Sequence, residues 1–194
     1  MTKEIDFYFD FISPYTYLAY KKIQSLPTDI KINYKPVLLG GLHNLEGITA
    51  PAFIKPKLKH MINDCLLISK KNNFDFKWNS KFPINSLNIM RGYFSISSSN
   101  QAKYIETLFD AYWKDDLDIS KNEILISLLE QCKIDKDIFF KTIKDPVIKV
   151  RLIDATKNAH EKEVFGAPTF IVNNKIFWGQ DRLEFALDEY NKID

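Results

Sequence analysis

The chain has 194 residues, 45% of them hydrophobic and 14% aromatic, enough for one sizeable core and too rich in apolar surface for intrinsic disorder. Twenty-seven Lys and Arg against 25 Asp and Glu leave a net charge of +2, so no overall electrostatic grip on nucleic acid is expected. Two Cys and three scattered His exclude a disulfide-built scaffold and a multi-cysteine zinc site, and no metal site is expected.

Ile5, Phe7, Phe9 and Phe11 alternate with Asp6, Tyr8 and Asp10, a period of two that predicts a strand. Ser13-Pro14 then supplies an N-cap and a first-turn proline for a helix over Tyr15 to Leu26. Ile30, Ile32 and Tyr34 alternate with polar residues in a second strand, so the first 36 residues read as strand, helix, strand with parallel strands.

Gly40-Gly41 through to Pro51 reads as a loop. Helices are predicted over Lys57 to Lys71, around Leu87, Met90 and Phe94 with Asn85 as a cap, and over Gln101 to Trp113. Ser120-Lys121-Asn122-Glu123 has the form of a capping box ahead of Ile124 and Leu125. Asp135 starts a short helix, and Asp145-Pro146 a long one to about Val164. Thr169 to Val172 and Lys175 to Trp178 form a hairpin around Asn173-Asn174, and a last helix carries Leu183, Phe185, Ala186 and Leu187.

This α/β layout, a βαβ half and a ββα half around an all-helical insertion, suggests a thioredoxin-like fold. The expected division is a thioredoxin-like unit from residues 1–50 and 151–194 and a helical insert from 51–150. No apolar run is long enough to span a membrane, and Met1 to Glu4 begin no secretory signal. Nor does the terminal Asn191 to Asp194 spell an address motif, so a cytoplasmic, reducing compartment is expected.

Three places can carry chemistry. At the start of the first helix, free N–H groups and the helix dipole can stabilise a thiolate. Ser13 and Thr16 stand there where a redox dithiol needs two Cys, so disulfide exchange at this position is excluded. A hydroxyl can instead donate to an external thiolate, or Ser13 is a plain cap. Pro168, before a β-prone run, is the position of a cis-proline in such a fold, which would leave the Ala167 carbonyl and N–H unpaired and facing the helix. The alternative is an edge-strand proline. Gln180 and Asp181 precede the last helix, where backbone N–H groups bind a carboxylate and Asp181 can hold an ammonium. Alternatively, Asp181 only caps that helix.

Phe7-Tyr8-Phe9-Asp10-Phe11-Ile12-Ser13-Pro14-Tyr15-Thr16-Tyr17-Leu18-Ala19 resembles the N-terminal signature of 2-hydroxychromene-2-carboxylate isomerases and kappa-class glutathione transferases. Phe82-Pro83-Ile84-Asn85-Ser86-Leu87, Trp113 to Ser120, Phe165 to Phe170 and Phe177-Trp178-Gly179-Gln180-Asp181-Arg182-Leu183 follow in family order across the chain. The resemblance implies a DsbA-like thioredoxin fold, a homodimer and glutathione as cofactor. It implies that Ser13 is the catalytic residue, hydrogen-bonded to the glutathione sulfur beside the main chain of Pro14 and Tyr15. Ala167, ahead of Pro168, would pair with the cysteinyl part, and Gln180 and Asp181 would hold the γ-glutamyl end. The substrate it implies is a small electrophile derived from an aromatic compound.

Relatives carry an Asn before the first insert helix, whereas Gly47 to Phe53 has none, and Lys57 and Lys59 offer positive charge nearby. Asp10 and Arg182 are placed to pair near the site. Cys65 and Cys132 fall on apolar helix stripes and read as buried, free thiols. The function expected is glutathione-dependent cis–trans isomerisation. The alternatives are conjugation of glutathione to an electrophile and non-catalytic peptide binding in the groove beside Pro168.

Overall fold

The computed structural model describes residues 3–193, so the terminal readings at Met1, Thr2 and Asp194 lie outside the described residues. Strands β1 (Ile5–Phe9), β2 (Ile32–Pro36), β3 (Thr169–Val172) and β4 (Lys175–Trp178) form one sheet in the order β2-β1-β3-β4. β1 runs parallel to β2 and antiparallel to β3, with Phe7 opposite Tyr34 on one side and Phe170 on the other. β3 and β4 are the expected hairpin, and both turn residues, Asn173 and Asn174, take positive φ.

The period of two in β1 sorts its side chains between two faces. Ile5, Phe7 and Phe9 are fully buried in the main core with residues of α1 (Pro14–Ile23) and of α9 (Leu183–Tyr190). Tyr8 points the other way, into a smaller cluster with Leu42, Ala159 and Val164. The rings of Phe7 and Phe170 stack across the strands at 5.3 Å, and Phe11 meets Phe109 edge-on at 4.9 Å.

Between the strand pairs come α2 (Leu39–Glu46), a 3₁₀ turn at Pro51–Phe53, α3 (Lys55–Asn72), α4 (Leu87–Ser95), α5 (Ser98–Trp113), α6 (Asn122–Gln131), α7 (Lys136–Thr142) and α8 (Pro146–Glu161). α8 runs through position 150, where the sequence reading passes from insert back to sheet. Residues of α3 to α8 share one continuous core with the inner face of the sheet. The indole N–H of Trp113, at the end of α5, donates to the Phe11 carbonyl at 2.8 Å and ties the helices to the segment just before Ser13.

Four local expectations need correction. The glycine-rich stretch after Leu38 is a helix, α2, rather than a loop. Its first N–H is taken by the buried Asp10 carboxylate (2.8 Å), and Gly41 lets it sit against Thr156 of α8, so tertiary contact overrides weak propensity. It ends at Gly47 in the left-handed region. The capping box is absent, because Lys121 is the N-cap of α6 and the Ser120 hydroxyl turns back to Asp118. Ser86, not Asn85, is the N-cap of α4, while the Asn85 side chain accepts the Leu87 N–H. Asp181 does not cap α9, whose N-cap is Arg182 with no side-chain bond. By contrast, Asp135 and Asp145 cap α7 and α8 as expected.

Two glycines should respond to alanine with opposite signs. A Cβ at Gly92 of α4 would collide with the Tyr104 hydroxyl and the Phe139 ring, whereas one at Gly40 of α2 meets nothing within 4 Å. Gly92→Ala should cost about 1–3 kcal/mol of overpacking. Gly40→Ala should add about 0.5–1 kcal/mol, because alanine gives up less chain entropy in a helix. Urea denaturation of the two variants checks both signs.

Candidate active site

The site forms where three chain reversals meet at one end of the sheet. Ser13 caps α1 with extended backbone geometry (φ −84°, ψ 116°), and Pro14 follows where a missing N–H costs nothing. The Ser13 oxygen accepts the Thr16 N–H at 3.2 Å, and its carbonyl accepts the Tyr17 N–H at 3.2 Å. The Tyr15 N–H has no partner among the described residues and is the open donor of this helix end.

The Ala167–Pro168 peptide is cis and lies against Ser13. Here the structure corrects an expectation. The Ala167 carbonyl is not left open, because the Ser13 hydroxyl donates to it at 2.9 Å. Ser13 is 3% exposed, so in this arrangement its one proton is already committed. The Ala167 N–H donates to none of the described residues. Thr16 is fully buried, and its hydroxyl oxygen has no hydrogen-bond partner.

Asp10 supports this cap from the end of β1. It is fully buried. Its carboxylate accepts the Ile12 N–H (3.1 Å), the Leu39 N–H (2.8 Å) and the Ser86 hydroxyl (3.0 Å), while its carbonyl accepts the Ser13 N–H (3.1 Å). Burial pushes its pKa up to about 6 against the pull of those donors. It does not pair with Arg182, which instead meets Asp181 at 3.1 Å and lies over the Phe185 ring.

A cavity of about 1170 Å³ opens in front of Ser13. Ser13, Pro14, Tyr15 and Ala167 line it, together with α2, the start of α3, the Phe82–Ser86 connector and Trp178. Most of the wall is apolar, and the polar exceptions beyond Ser13 include His43, Asn44, Lys57 and His60. Burial lowers the pKa of His43 and favours the neutral imidazole. Tyr15 donates its hydroxyl to Asp64 of α3 at 2.8 Å, which fixes that side of the entrance.

Pro168, Gln180 and Asp181 lie outside this lining. Gln180 is buried, and Lys22 reaches both its side-chain oxygen (2.7 Å) and its carbonyl (3.1 Å). Asp181 is exposed and close enough to Tyr15 for its charge to act on that phenol. The N–H groups of Gln180 and Asp181 have no partner among the described residues. A loop reading of residues 40–51 conceals the contribution of α2, which brings His43 and Asn44 to the cavity wall. His60 was legible in principle, since Lys57, His60 and Met61 share a helical stripe and all three line the cavity. Cys65 and Cys132 are free and buried, and burial raises both thiol pKa values, most strongly at Cys65.

The model of the DSBA-like thioredoxin domain matches residues 4–191. A 2-hydroxychromene-2-carboxylate isomerase of Sphingobium xenophagum is 30% identical over 194 residues, covering 98% of each chain. The chain belongs to the DSBA-like thioredoxin family, in the group of the 2-hydroxychromene-2-carboxylate isomerases and kappa-class glutathione transferases. Glutathione S-transferase kappa 1 of Rattus norvegicus is 23% identical, covering 93% of this chain and 87% of the relative. The solved structure of a 2-hydroxychromene-2-carboxylate isomerase superposes with a TM-score of 0.88 at 24% identity, covering 97% of this chain and 95% of that one. The fold is therefore the thioredoxin fold expected from the layout, in the DsbA-like form that the resemblance implies. No helix of the described residues is long and apolar enough to cross a membrane, and no cluster of three metal-ligating side chains occurs among them.

Asp10 makes stability depend on pH with a defined sign. Its folded pKa lies above the unfolded value of 3.8, so the native state holds the proton more tightly. The stability it contributes is full below about pH 4 and is lost as pH rises through about 6. Urea denaturation of wild type and Asp10→Asn across this window should show a falling component in the wild type that the variant lacks. An unchanged slope in the variant rules out Asp10 as its source.

Proposed function

We propose that this chain is a glutathione-dependent cis–trans isomerase acting on a small, largely apolar electrophile, of the 2-hydroxychromene-2-carboxylate isomerase type. One observation carries the reading: a sulfur-free helix N-terminus, capped by Ser13, faces a mostly apolar cavity of about 1170 Å³. That volume lies above the usual ~300–1,000 Å³ of small-molecule sites, which leaves room for a tripeptide thiol and a second molecule together.

The residues present fit glutathione. Its cysteinyl amide meets an unpartnered Ala167 N–H, and its sulfur meets the open Tyr15 N–H and the positive end of the helix dipole. The free N–H groups of Gln180 and Asp181 suit the γ-glutamyl carboxylate, and the Asp181 side chain suits the ammonium. Lys57 at the cavity rim suits the glycyl carboxylate in place of the missing Asn. Bound there, glutathione supplies a thiolate nucleophile that adds reversibly to an electrophilic carbon, so that a double bond becomes rotatable before the thiol is eliminated unchanged.

The chain's own contribution is to hold the thiol ionised. The Ser13 hydroxyl turns its proton from the Ala167 carbonyl to the sulfur, a neutral acceptor exchanged for a charged one. Aromatic and aliphatic walls suit the apolar body of the electrophile, and the neutral His43 adds no competing charge. A cytoplasmic setting and a homodimer complete the reading; the homodimer rests on the family resemblance.

Kappa-type conjugation is the second reading, supported by the kappa-class relative and by the same geometry with product release in place of elimination. Net consumption of glutathione distinguishes it, since an isomerase returns every equivalent. Failure to bind glutathione at millimolar concentration sinks both and leaves a peptide-binding role.

Ser13→Ala should leave the fold intact and raise the pKa of the bound thiol by roughly one to two pH units, because a charge-assisted hydrogen bond of about 1.5–3 kcal/mol is lost. Thiolate absorbance of the glutathione complex against pH measures this. An unchanged titration removes Ser13 from its role.

A further inference from the structure

Helix α2 has a second cavity at its back. Gly40 and His43 belong to the wall of the main cavity, Leu45 belongs to a separate hollow of about 280 Å³, and Leu38, Gly41 and Asn44 line both. The far wall of the hollow is made by α4 and α8, packed against each other. Arg91 enters from α4, and Lys149 and Lys157 lie along one stripe of α8 with Leu152, Ile153 and Thr156.

The charge here is one-sided. Three cations line the hollow, and no Asp or Glu does. None of the three takes part in an ion pair among the described residues, although nine such pairs occur elsewhere. The Nε–H of Arg91 is buried and has no hydrogen-bond partner. The remaining guanidinium N–H groups are not buried and have no partner among the described residues, so they are the donors an incoming anion meets. In a chain with nearly balanced charge, this concentration around one hollow is a local feature and does not follow from composition.

The remaining walls define the body of the anion. Leu45, Leu87, Leu152 and Ile153 are apolar, and Leu45 and Ile153 remain 47% and 49% exposed. An inorganic anion gains nothing from such walls. A carboxylate matches the planar fork of the guanidinium, and an attached ring or short alkyl group covers the leucines. The volume suits a compact molecule and is small for a peptide.

We propose that the hollow between α2, α4 and α8 is a binding site for a small monocarboxylate with an apolar body, held by Arg91, Lys149 and Lys157. It shares three lining residues of the α2 region with the main cavity but none of the residues assigned to glutathione, and its occupancy does not depend on the activity proposed above.

Benzoate is the probe, titrated into the ¹⁵N-labelled full chain and followed by amide shifts. Saturable shifts are expected along residues 149–157 and at Leu45, with the uncharged isostere benzamide weaker by about tenfold or more. The double variant Lys149→Gln, Lys157→Gln should weaken those shifts by about tenfold while leaving any shifts around Ser13 and His60 as they were. Arg91→Met should abolish them; if that variant does not fold, the double lysine variant decides alone. Equal binding of benzamide, inorganic phosphate binding as tightly as benzoate, shifts confined to the main cavity, or no saturable shift would each overturn the proposal.

Discussion

The site hangs on one buried carboxylate. Asp10 leaves the end of β1 and takes hydrogen bonds from three segments: the turn into α1 at Ile12, the start of α2 at Leu39 and the start of α4 at Ser86. Those segments supply much of the main cavity wall. A neutral residue in this place offers fewer acceptor sites, and one of the donors is then left inside without a partner. Burial raises the pKa to about 6, so the group sits close to the point where its own charge is in question. The architecture of the cavity is thus secured by a carboxyl group kept where its charge is costly.

Around that group the packing is mainly aromatic. Phe7, Phe9, Phe11, Phe109 and Trp113 are fully buried, and the Trp113 N–H reaches the Phe11 carbonyl two residues before Ser13. The helical insertion therefore braces the functional turn directly. Ser13 is braced again from the other side by Ala167, so its position is defined by residues 154 apart in the chain. The cap, the cis peptide and the indole anchor act on the same few atoms. This gives the hydroxyl a fixed place without any contact from a charged side chain.

Much of this was legible in the sequence. The period of two in β1, the Ser13-Pro14 helix start, the Asp145-Pro146 start and the Asn173-Asn174 turn are local signals, and local physics decides them. The family blocks led to Ser13, Ala167 and Pro168, which the fold does bring together. What escaped was decided by distant contacts. Helix α2 forms because Asp10 and Thr156 receive it, although its glycines argue for a loop. The Ser13–Ala167 bond and the capture of Gln180 by Lys22 join residues that no short window contains. Charge patterning along the chain likewise gave no hint that Arg91, Lys149 and Lys157 converge.

The strand order has a consequence for how the molecule is made. β1 lies inside the sheet, yet of its two partners only β2 is near in sequence, while β3 begins at residue 169. During synthesis from the N-terminus, the other edge of β1 stays open until β3 at Thr169–Val172 has emerged. That edge belongs to a short strand of alternating large apolar residues, the kind that pairs readily with a neighbouring chain. Helix α1 and the insertion can cover one face of it early, but they cannot supply the missing ladder. The sheet is therefore completed only once residues 169–178 have been made, and an interruption before β3 leaves a nascent chain with a sticky border.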